Sequence, residues 1–447
     1  MKLGPAAATV AACALGLCAR SAQANGRFPA AGQVVVDPGD AGHVVLRTTY
    51  GILQTADAGK TWQWICEQPV GYGGIEDPAI AVTADGTLLA GIFAGLSASH
   101  DRGCSWGFAG GPLDQQYTID IAVERQSASR AVAVTSTGRP EATAVVAETL
   151  DNGQTWTQAG AALPLDFHAL TLEVAASRPQ RIYVSGVAGA SHDAFIERTD
   201  DRGKTWTELP FDLGRGDGLY IGAIDPGDPD RVYARVDAAE DDELLASDDG
   251  AATWAHVLKG TGEMLGFALS PDGTKIAAGG PKMGLYVAGT GDLEFKQVST
   301  LRVKCLKWHD SGLYACADEF QDGFTLGLSQ DDGATFHAVY HLPDLSPLEC
   351  APGTATAMAC PAAWPGVASV LGVKDAWADA GSPEAPPGGD APPAAPLKSE
   401  SGCGVRPTPG GEREGALSAL LALGISTLRR RRAPATGLAR SAALRGG

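Results

Sequence analysis

The sequence predicts an all-β fold, a seven-bladed β-propeller built from four-stranded antiparallel blades. Glycine accounts for 58 of the 447 residues and charged residues for only 19%, a composition that favours tight turns and small-residue strands over solvated helices. One octapeptide recurs along the chain, and the aromatic residues that end its copies are 44, 50, 50, 48, 41 and 41 residues apart. Seven copies with a period in the forties are typical of propeller blades.

The octapeptide has four clean copies, which begin at residues 55, 99, 149 and 199 and read TADAGKTW, SHDRGCSW, TLDNGQTW and TDDRGKTW. Looser copies begin at 247 and 329, and a worn copy spans 289–295. We expect the Asp carboxylate to bond to its own turn, the Gly to supply a positive φ and the aromatic ring to pack between sheets. This structural role is predicted for Asp57, Trp62, Asp101, Trp106, Asp151, Trp156, Asp201, Trp206, Asp249, Trp254, Asp331 and Phe336.

Each copy lies within a run of short β-rich segments. In the first repeat, QVVVDP, HVVLRT, GILQTA and the segment beginning at Trp62 predict the four strands of one meander. Seven such blades span about residues 26–345. In the fifth copy Ala251 replaces the Gly, so we expect a distorted turn there. The chain begins on a first strand and ends on a fourth, so its two ends share a blade only if residues 25–33 pair with blade seven.

The pattern Ser/Thr-x-Asp-x-Gly-x-Thr-Trp resembles the Asp-box, also called the BNR repeat, and the resemblance covers about 70% of the chain. Asp-boxes occur in sialidases, in sortilin-type receptor domains, in photosystem-assembly propellers and in many bacterial surface proteins. The resemblance implies a binding or recognition module for a glycan or protein ligand. Two alternatives stay open, a sialidase-like exo-glycosidase and an envelope assembly or scaffold factor.

The N-terminus predicts export. Residues 1–24 combine Lys2, an apolar run over 6–19 and Ala22-Gln23-Ala24, which is the three-part pattern of a secretory signal peptide. We expect cleavage after Ala24. The propeller and a Cys-containing C-terminal extension would then occupy residues 25–372.

The C-terminus predicts attachment to the cell surface. An Ala/Pro/Gly-rich linker occupies residues 373–402. Residues 403–447 contain Cys403, a short apolar segment and four arginines at 429–432, an order that resembles the C-terminal sorting tags of myxobacterial surface proteins. The resemblance implies that Cys403 is a processing or lipidation site and that the protein lies at the cell surface or outer membrane, from which it can be released.

Charge limits the possible partners. The whole chain has a net charge of -18, and residues 25–402 hold 24 basic and 50 acidic side chains, a net of -26. This acidity argues against nucleic acid as a partner, because nucleic-acid binding needs a basic face. The predicted partners are a glycan or protein ligand and, through the tag, the outer envelope. We expect a monomer with no cofactor, and no metal because the sequence has no CxxC spacing.

The nine cysteines divide among these segments. Cys13 and Cys18 belong to the signal peptide and Cys403 to the tag. An exported protein can form disulfides from the other six, which allow fifteen pairings. We predict Cys305–Cys316, on adjacent strands of one blade. We also predict Cys66–Cys104, between blade one and the second octapeptide, and Cys350–Cys360, closing a small loop.

Ligand-binding residues are expected opposite the octapeptides, on the face formed by the loops between blades and between second and third strands, here called the loop face. Its candidates are Arg47, Tyr72, Glu76, Tyr117, Asp120, His168 and Asp217. Sialidases clamp a carboxylate with three arginines and use a Tyr–Glu nucleophile and an Asp acid. That resemblance implies Arg215, Arg235, Asp77 and Tyr220 as catalytic candidates. The alternative is that all of these are ordinary solvated loop residues.

Overall fold

Seven antiparallel four-stranded sheets form a closed ring in the computed structural model, which describes residues 27–136, 143–188, 193–214 and 216–374. The first strand of each sheet contacts the first strand of the next, and that of blade seven contacts that of blade one. The predicted seven-bladed propeller is therefore confirmed.

The blades follow one another in chain order, and each runs from its first strand near the ring centre to its fourth strand at the rim. The strands are, for blade one, β1 (Ala31–Val36), β2 (Val44–Thr48), β3 (Gly51–Thr55) and β4 (Gln63–Ile65); for blade two, β5 (Ala79–Val82), β6 (Leu88–Ile92), β7 (Gly95–Ser99) and β8 (Gly107–Phe108); for blade three, β9 (Thr118–Val123), β10 (Ala131–Thr135), β11 (Val146–Thr149) and β12 (Thr157–Gln158); for blade four, β13 (Phe167–Val174), β14 (Ile182–Ala188), β15 (Ala194–Thr199) and β16 (Thr207–Phe211); for blade five, β17 (Gly216–Ile224), β18 (Val232–Ala238), β19 (Glu243–Ser247) and β20 (Ala255–Lys259); for blade six, β21 (Gly266–Leu269), β22 (Lys275–Gly280), β23 (Gly284–Gly289) and β24 (Lys296–Ser299); and for blade seven, β25 (Cys305–His309), β26 (Gly312–Cys316), β27 (Leu326–Ser329) and β28 (His337–Tyr340).

The core lies between neighbouring blades. The middle strands are buried on both sides, as in β3, β6, β7 and β10, where every residue is buried. The fourth strands β8 and β12 are exposed. This gradient explains why the second and third strands are continuous runs of small apolar residues, since a sheet packed on both faces has no polar face to alternate with.

The octapeptide turns are fixed by hydrogen bonds within each copy. In the first, the Thr55 hydroxyl donates to Asp57 Oδ1 at 2.7 Å, and Thr61 donates its N–H to Oδ1 at 2.9 Å and its hydroxyl to Oδ2 at 2.7 Å. The Gly59 N–H in turn donates to the Thr55 hydroxyl at 3.0 Å. The copies centred on Asp151, Asp201 and Asp331 repeat this set of bonds. We call the face that carries these turns the turn face.

The prediction that the fifth turn is distorted is wrong. The Ala251 N–H donates to the Ser247 hydroxyl at 2.9 Å, and Thr253 bonds to both oxygens of Asp249 as in the other copies. Every regular copy places two successive residues at positive φ, and here they are Gly250 at 73° and Ala251 at 72°. The glycine has moved one position earlier, and the hydrogen bonds hold the alanine in the left-handed region that normally favours glycine.

The ring is not closed by a blade shared between the two ends. Among the described residues, blade seven consists of β25–β28 alone. The chain instead continues past blade seven, and β29 (Ser346–Pro347) pairs in parallel with the outer strand β4 of blade one. The Ser346 N–H donates to the Trp62 carbonyl at 3.1 Å and the Leu348 N–H to the Trp64 carbonyl at 3.0 Å. The segment after the propeller therefore joins blade seven to blade one from outside.

Two disulfides fix this segment, and they correct two of the predicted pairs. Cys104 pairs with Cys350 and Cys66 with Cys360, so the predicted Cys66–Cys104 and Cys350–Cys360 bonds are wrong. The predicted Cys305–Cys316 bond is present. The prediction paired cysteines that are near in sequence, whereas the chain after blade seven returns over blades one and two and brings distant cysteines together.

Three helices and one 3-10 turn complete the described structure. They are α1 (Glu67–Val70), the 3-10 turn Gly111–Leu113, α2 (Glu319–Asp322) and α3 (Ala355–Leu371). Helix α3 follows β29, contacts α1 and carries Cys360. Within the described residues, no helix is both long enough and apolar enough to cross a membrane. The predicted signal peptide, most of the linker and the tag with Cys403 lie outside the described residues.

Candidate functional site

A cavity of about 480 Å³ opens on the loop face where blades one to four meet. Its wall contains Arg47 from blade one, Glu76 and Asp77 from the loop after blade one, and Tyr117 and Asp120 at the start of blade three. Five of the residues singled out from the sequence thus come together in one place. We call this site the mouth.

A bidentate ion pair lies at the edge of the mouth. Arg27 donates from Nη1 to Asp77 Oδ1 at 2.8 Å and from Nη2 to Oδ2 at 2.7 Å. The hydrogen bond to Asp77 raises the pKa of Arg27 above its usual value. The fork geometry fixes both side chains. It therefore holds the N-terminal segment against the loop between blades one and two.

Arg47 is the second cation of the mouth. Its Nη2 would lie 2.7 Å from a Cβ on Gly32, so a side chain at that position would displace the end of Arg47. Nη1 makes long hydrogen bonds to the carbonyls of Asp77, at 3.4 Å, and Pro78, at 3.5 Å. Within the described residues no carboxylate forms an ion pair with Arg47, and burial lowers its pKa. Its guanidinium therefore keeps donor capacity toward the cavity.

Carboxylic acids and apolar rings form the opposite side of the mouth. Glu76 Oε1 accepts a short hydrogen bond from the Phe93 N–H, and burial raises the pKa of Glu76. The Phe93 ring is 55% exposed and packs edge-on against Tyr117, with centroids 4.5 Å apart. Beside them Ile75 is 85% exposed. The mouth thus combines exposed apolar surface with polar groups that can still accept or donate.

Tyr72 lies beneath the mouth rather than in its wall. The residue is 8% exposed, and its hydroxyl is buried with no hydrogen-bond partner among the described residues. Burial, followed by the nearby Glu67 carboxylate, raises the pKa of Tyr72 well above 10. Such a hydroxyl stays protonated, which makes it a poor nucleophile.

Asp120 differs from the loop position predicted for it, because it lies on the inner strand β9. Its Oδ2 accepts from the Leu172 N–H of blade four at 2.9 Å and its Oδ1 from the Ile121 N–H at 2.9 Å. Burial raises its pKa to about 6. Equivalent bonds between first strands join Gln33 to Ile80 and Thr171 to Ile221. Asp120 therefore links two blades as well as lining the cavity.

The other sequence candidates lie away from the mouth. Arg235 stacks on Tyr220 with its guanidinium carbon 4.8 Å from the ring centroid, and it pairs with the buried Asp242 at 2.9 Å. Asp217 belongs to this same group on blade five. His168 lies 3.6 Å from Asp166 on blade four. Arg215 lies outside the described residues.

Sequence reasoning missed Phe93 and Ile75 and gave no weight to Arg27. Phe93 ends the predicted strand TLLAGIF, where it is indistinguishable from a core residue. Arg27 sits in Gly26-Arg27-Phe28-Pro29 at the edge of the propeller, and only its contact with Asp77, fifty residues away, gives it meaning. A contact over that distance leaves no local signal in the sequence.

Comparison with known proteins places the chain by fold alone. No known family model matches it, and no curated protein does. Three solved structures share the architecture. An ancestral GH74 enzyme has a TM-score of 0.54 and 14% identity, over 69% of this chain and 46% of that one. The GH74 enzyme of Niastella koreensis has a TM-score of 0.44 and 15% identity, over 69% and 58%.

The third structure is a hydrazine synthase of Kuenenia stuttgartiensis, with a TM-score of 0.47 and 12% identity, over 65% of this chain and 93% of that one. The chain thus spans about half the length of the two GH74 chains that it matches. At 14% identity and a TM-score above 0.5, the likeness to the ancestral GH74 enzyme shows a shared fold.

Proposed function

We propose that the protein is an exported, surface-anchored binding module whose mouth takes a glycan. The observation that carries the proposal is the convergence, in one cavity, of the exposed Phe93 and the half-buried Tyr117 with the Arg47 guanidinium and the Glu76 carboxyl. A sugar presents apolar C–H faces and hydroxyls, so it is complementary to aromatic rings flanked by donors and acceptors. The shared fold with a GH74 enzyme is in keeping with a sugar ligand.

Export is part of the proposal. The three disulfides are compatible with an extracellular protein, because disulfides persist outside the reducing cytosol. The signal peptide and sorting tag predicted from the sequence would then deliver and attach it. Replacing Cys403 by Ala should release the protein into the medium or leave it unprocessed, as read by fractionation of cells. Unchanged surface attachment would contradict the role given to this cysteine.

The binding experiment is affinity electrophoresis of the purified protein in gels containing one polysaccharide each. The neutral polysaccharides are mixed-linkage β-glucan, xyloglucan and galactomannan, and the acidic ones are alginate and polygalacturonate. We expect retardation by at least one neutral polysaccharide and about tenfold weaker binding by Phe93→Ala and Tyr117→Ala. Phe108→Ala is the matched control, because Phe108 is a comparably exposed ring on the outer strand β8.

Retardation that Phe93→Ala and Tyr117→Ala leave unchanged would overturn the mouth as the binding site. If none of the five polysaccharides slowed the protein, glycan binding itself would be overturned. That result would favour the scaffold alternative, which pull-down from envelope extracts would then test by the recovery of a reproducible protein partner.

A sialidase-like exo-glycosidase is the second candidate function. It is favoured by Glu67 and Glu76, because burial raises the pKa of both carboxyls as an acid catalyst requires. Against it stand the raised pKa of Tyr72 and the position of Arg235 on blade five. A fluorogenic sialoside assay decides between the two. Hydrolysis that is lost in Arg47→Ala and Glu76→Gln would replace the binding proposal.

A further inference from the structure

We infer that the ligand of the mouth is a neutral polysaccharide chain rather than a single sugar, because a second aromatic platform lies beside the cavity. The platform consists of Phe28, just before blade one, and Phe320, in helix α2 of blade seven. This inference rests on the proposed glycan-binding function and extends it to a second subsite.

The two rings of the platform are exposed and touch each other. Phe28 is 61% exposed and Phe320 67%, and their centroids are 5.4 Å apart at an interplanar angle of 63°. Single exposed apolar side chains are ordinary on protein surfaces. Two phenylalanines that pack on each other while most of their surface faces water are less ordinary, because removing apolar surface from water is favourable. Such apolar patches mark binding surfaces.

The platform is held in place by the surrounding polar groups. Asp318 caps α2 by accepting from the N–H groups of Phe320 at 3.1 Å and Gln321 at 3.2 Å. Lys304 pairs with Asp318 at 3.3 Å and places its Nζ 5.9 Å from the Phe28 ring centroid. The Thr49 hydroxyl donates to the Phe28 carbonyl at 2.9 Å. The rings are therefore presented on a fixed backbone, which reduces the entropy lost on binding.

A continuous series of contacts joins the platform to the mouth. Phe28 follows Arg27, whose guanidinium is bonded to Asp77 in the cavity wall. Neighbouring Cα atoms are about 3.8 Å apart, so the platform starts one residue from the rim. Beyond Asp77 come the exposed Ile75 and then Phe93 against Tyr117. Exposed apolar side chains thus lie on both sides of the Arg27–Asp77 pair, at the platform and at the mouth.

The charges along this surface indicate a neutral chain. Glu76 and Asp77 lie at the mouth, and Asp318 and Glu319 lie at the platform. Arg27 and Lys304 are already paired with Asp77 and Asp318, so among the described residues Arg47 is the cation of this surface left for a polyanion, whereas residues 25–402 have a net charge of -26 that repels one. A neutral polysaccharide offers repeated sugar faces for the separate rings and hydroxyls for the carboxylates between them. Occupation of both subsites by one chain raises affinity without any new contact at either.

The test is a length series measured by isothermal titration calorimetry. The titrants are oligosaccharides of two to eight sugar units, cut from whichever neutral polysaccharide retards the protein in the gels. Wild-type affinity should rise with length and then level off once both subsites are filled. The double variant Phe28→Ala/Phe320→Ala should bind the shortest oligosaccharides like wild type and the longest about tenfold more weakly. Phe320→Leu keeps an apolar side chain but lacks the flat ring. It should lose most of the increase in affinity with oligosaccharide length.

Each of the other possible outcomes would overturn one part of the proposal. An affinity that is independent of length, or a length dependence that the double variant keeps, would overturn the second subsite and leave the mouth intact. Retardation by the acidic polysaccharides alone would overturn the neutral class. If no polysaccharide binds at all, the proposed function fails and the second subsite with it. Phe108→Ala should match wild type at every length, and all the variants replace exposed side chains, so folding is checked by equal unfolding midpoints.

Discussion

Carboxylates and arginines occur both on the turn face and at the mouth, but their pKa shifts and their ion pairs differ. In the turns, hydrogen bonds from threonine hydroxyls and N–H groups lower the pKa of Asp57, Asp151, Asp249 and Asp331 to about 2. At the mouth, burial raises the pKa of Glu76 and, to about 6, that of Asp120. The turn carboxylates accept several hydrogen bonds each, whereas within the described residues Glu76 accepts one and Asp120 two, and burial outweighs those bonds.

The arginines differ in the same way. On the turn face, Arg130 pairs with Glu124 at 2.9 Å and Glu148 at 3.0 Å and donates to the Pro179 carbonyl of the next blade. At the mouth, the hydrogen bonds of Arg47 within the described residues are two long ones to carbonyls. The comparison teaches that the fold gives Arg130 two carboxylate partners, although its buried Nη2 has none among those residues, while Arg47 keeps a charge that a ligand can pair.

The largest effect should come from removing the disulfide at the turn face. Cys104→Ser with Cys350→Ser opens a link between residues 246 apart. Because Cys66–Cys360 stays closed, the loop that is released runs through about 50 residues, which the chain-entropy relation values at about 4 kcal/mol of unfolding free energy. The matched control is Cys305→Ser with Cys316→Ser, where a separation of 11 residues gives about 3 kcal/mol. Urea unfolding under oxidising conditions measures both. If the faces are independent, glycan affinity stays unchanged in the first variant, and a large loss of affinity would break the distinction.

A smaller loss is expected from a single turn carboxylate. Asp151→Ala removes the acceptor of the Thr149 and Thr155 bonds and should lower the free energy of unfolding by about 2 kcal/mol at pH 7. Because the folded pKa lies below the unfolded value, this contribution is present above about pH 4 and fades as the pH falls toward 2. Asp292→Ala in the worn sixth copy, where the carboxylate accepts one bond at 3.2 Å, should cost clearly less. Equal losses in urea unfolding would contradict this account of the turns.

A buried acid outside the mouth also has a raised pKa, and its effect is on stability rather than on binding. Glu197 is buried on β15 opposite Glu208 on β16, its Oε1 has no partner among the described residues, and burial raises its pKa to about 7. An acid whose pKa is higher when folded destabilises the fold progressively as the pH rises from about 4.5 to about 7.

Replacing Glu197 by Gln should therefore make the protein about 1 kcal/mol more stable at pH 8. The gain should disappear near pH 4, and glycan affinity should not change. Thermal unfolding across this pH range provides the measurement. A variant less stable at pH 8 would show that Glu197 is ionised and has partners.

The smallest effect concerns the fifth turn. Ala251→Gly should relieve the positive φ of 72° and stabilise the protein by about 0.5 kcal/mol, less than the full conformational gain because the buried methyl group is lost. Alanine to glycine at Ala252, the next residue of the same turn, is the control and should destabilise slightly. Urea midpoints of the two variants would show opposite signs. If Ala251→Gly lowered the urea midpoint, packing of the methyl group would outweigh backbone strain at this position.

The blades could be predicted because their determinants are local. Each octapeptide carries its own donors and acceptors within eight residues. The bonds between Asp57 and Thr61 therefore determine the turn without contacts from the rest of the chain. The closure of the ring could not be predicted, because β29 meets β4 across more than 280 residues. The Cys66–Cys360 bond depends on that return of the chain and was missed for the same reason.

The mouth was predicted only in part. Topology placed Arg47, Glu76, Asp77 and Tyr117 on the loop face, and they do line one cavity. It also suggested Arg235 and Tyr220, which lie on blade five and stack on each other. Sequence gives the face on which a loop residue lies but not which blades approach one another closely enough to enclose a cavity. Phe93 shows the same limit, because exposure of a strand-end phenylalanine depends on packing that no local pattern encodes.

Hydrogen exchange on the full-length protein tests the central claim most directly, namely that ligand meets the mouth and not the turn face. Exchange of backbone amides is followed by mass spectrometry with and without the neutral polysaccharide that retards the protein. The account predicts slower exchange in peptides covering residues 75–79, 91–93 and 117–120, and unchanged exchange in the octapeptide turns at 149–156 and 199–206. Protection confined to those turns, with none at the mouth, would contradict it.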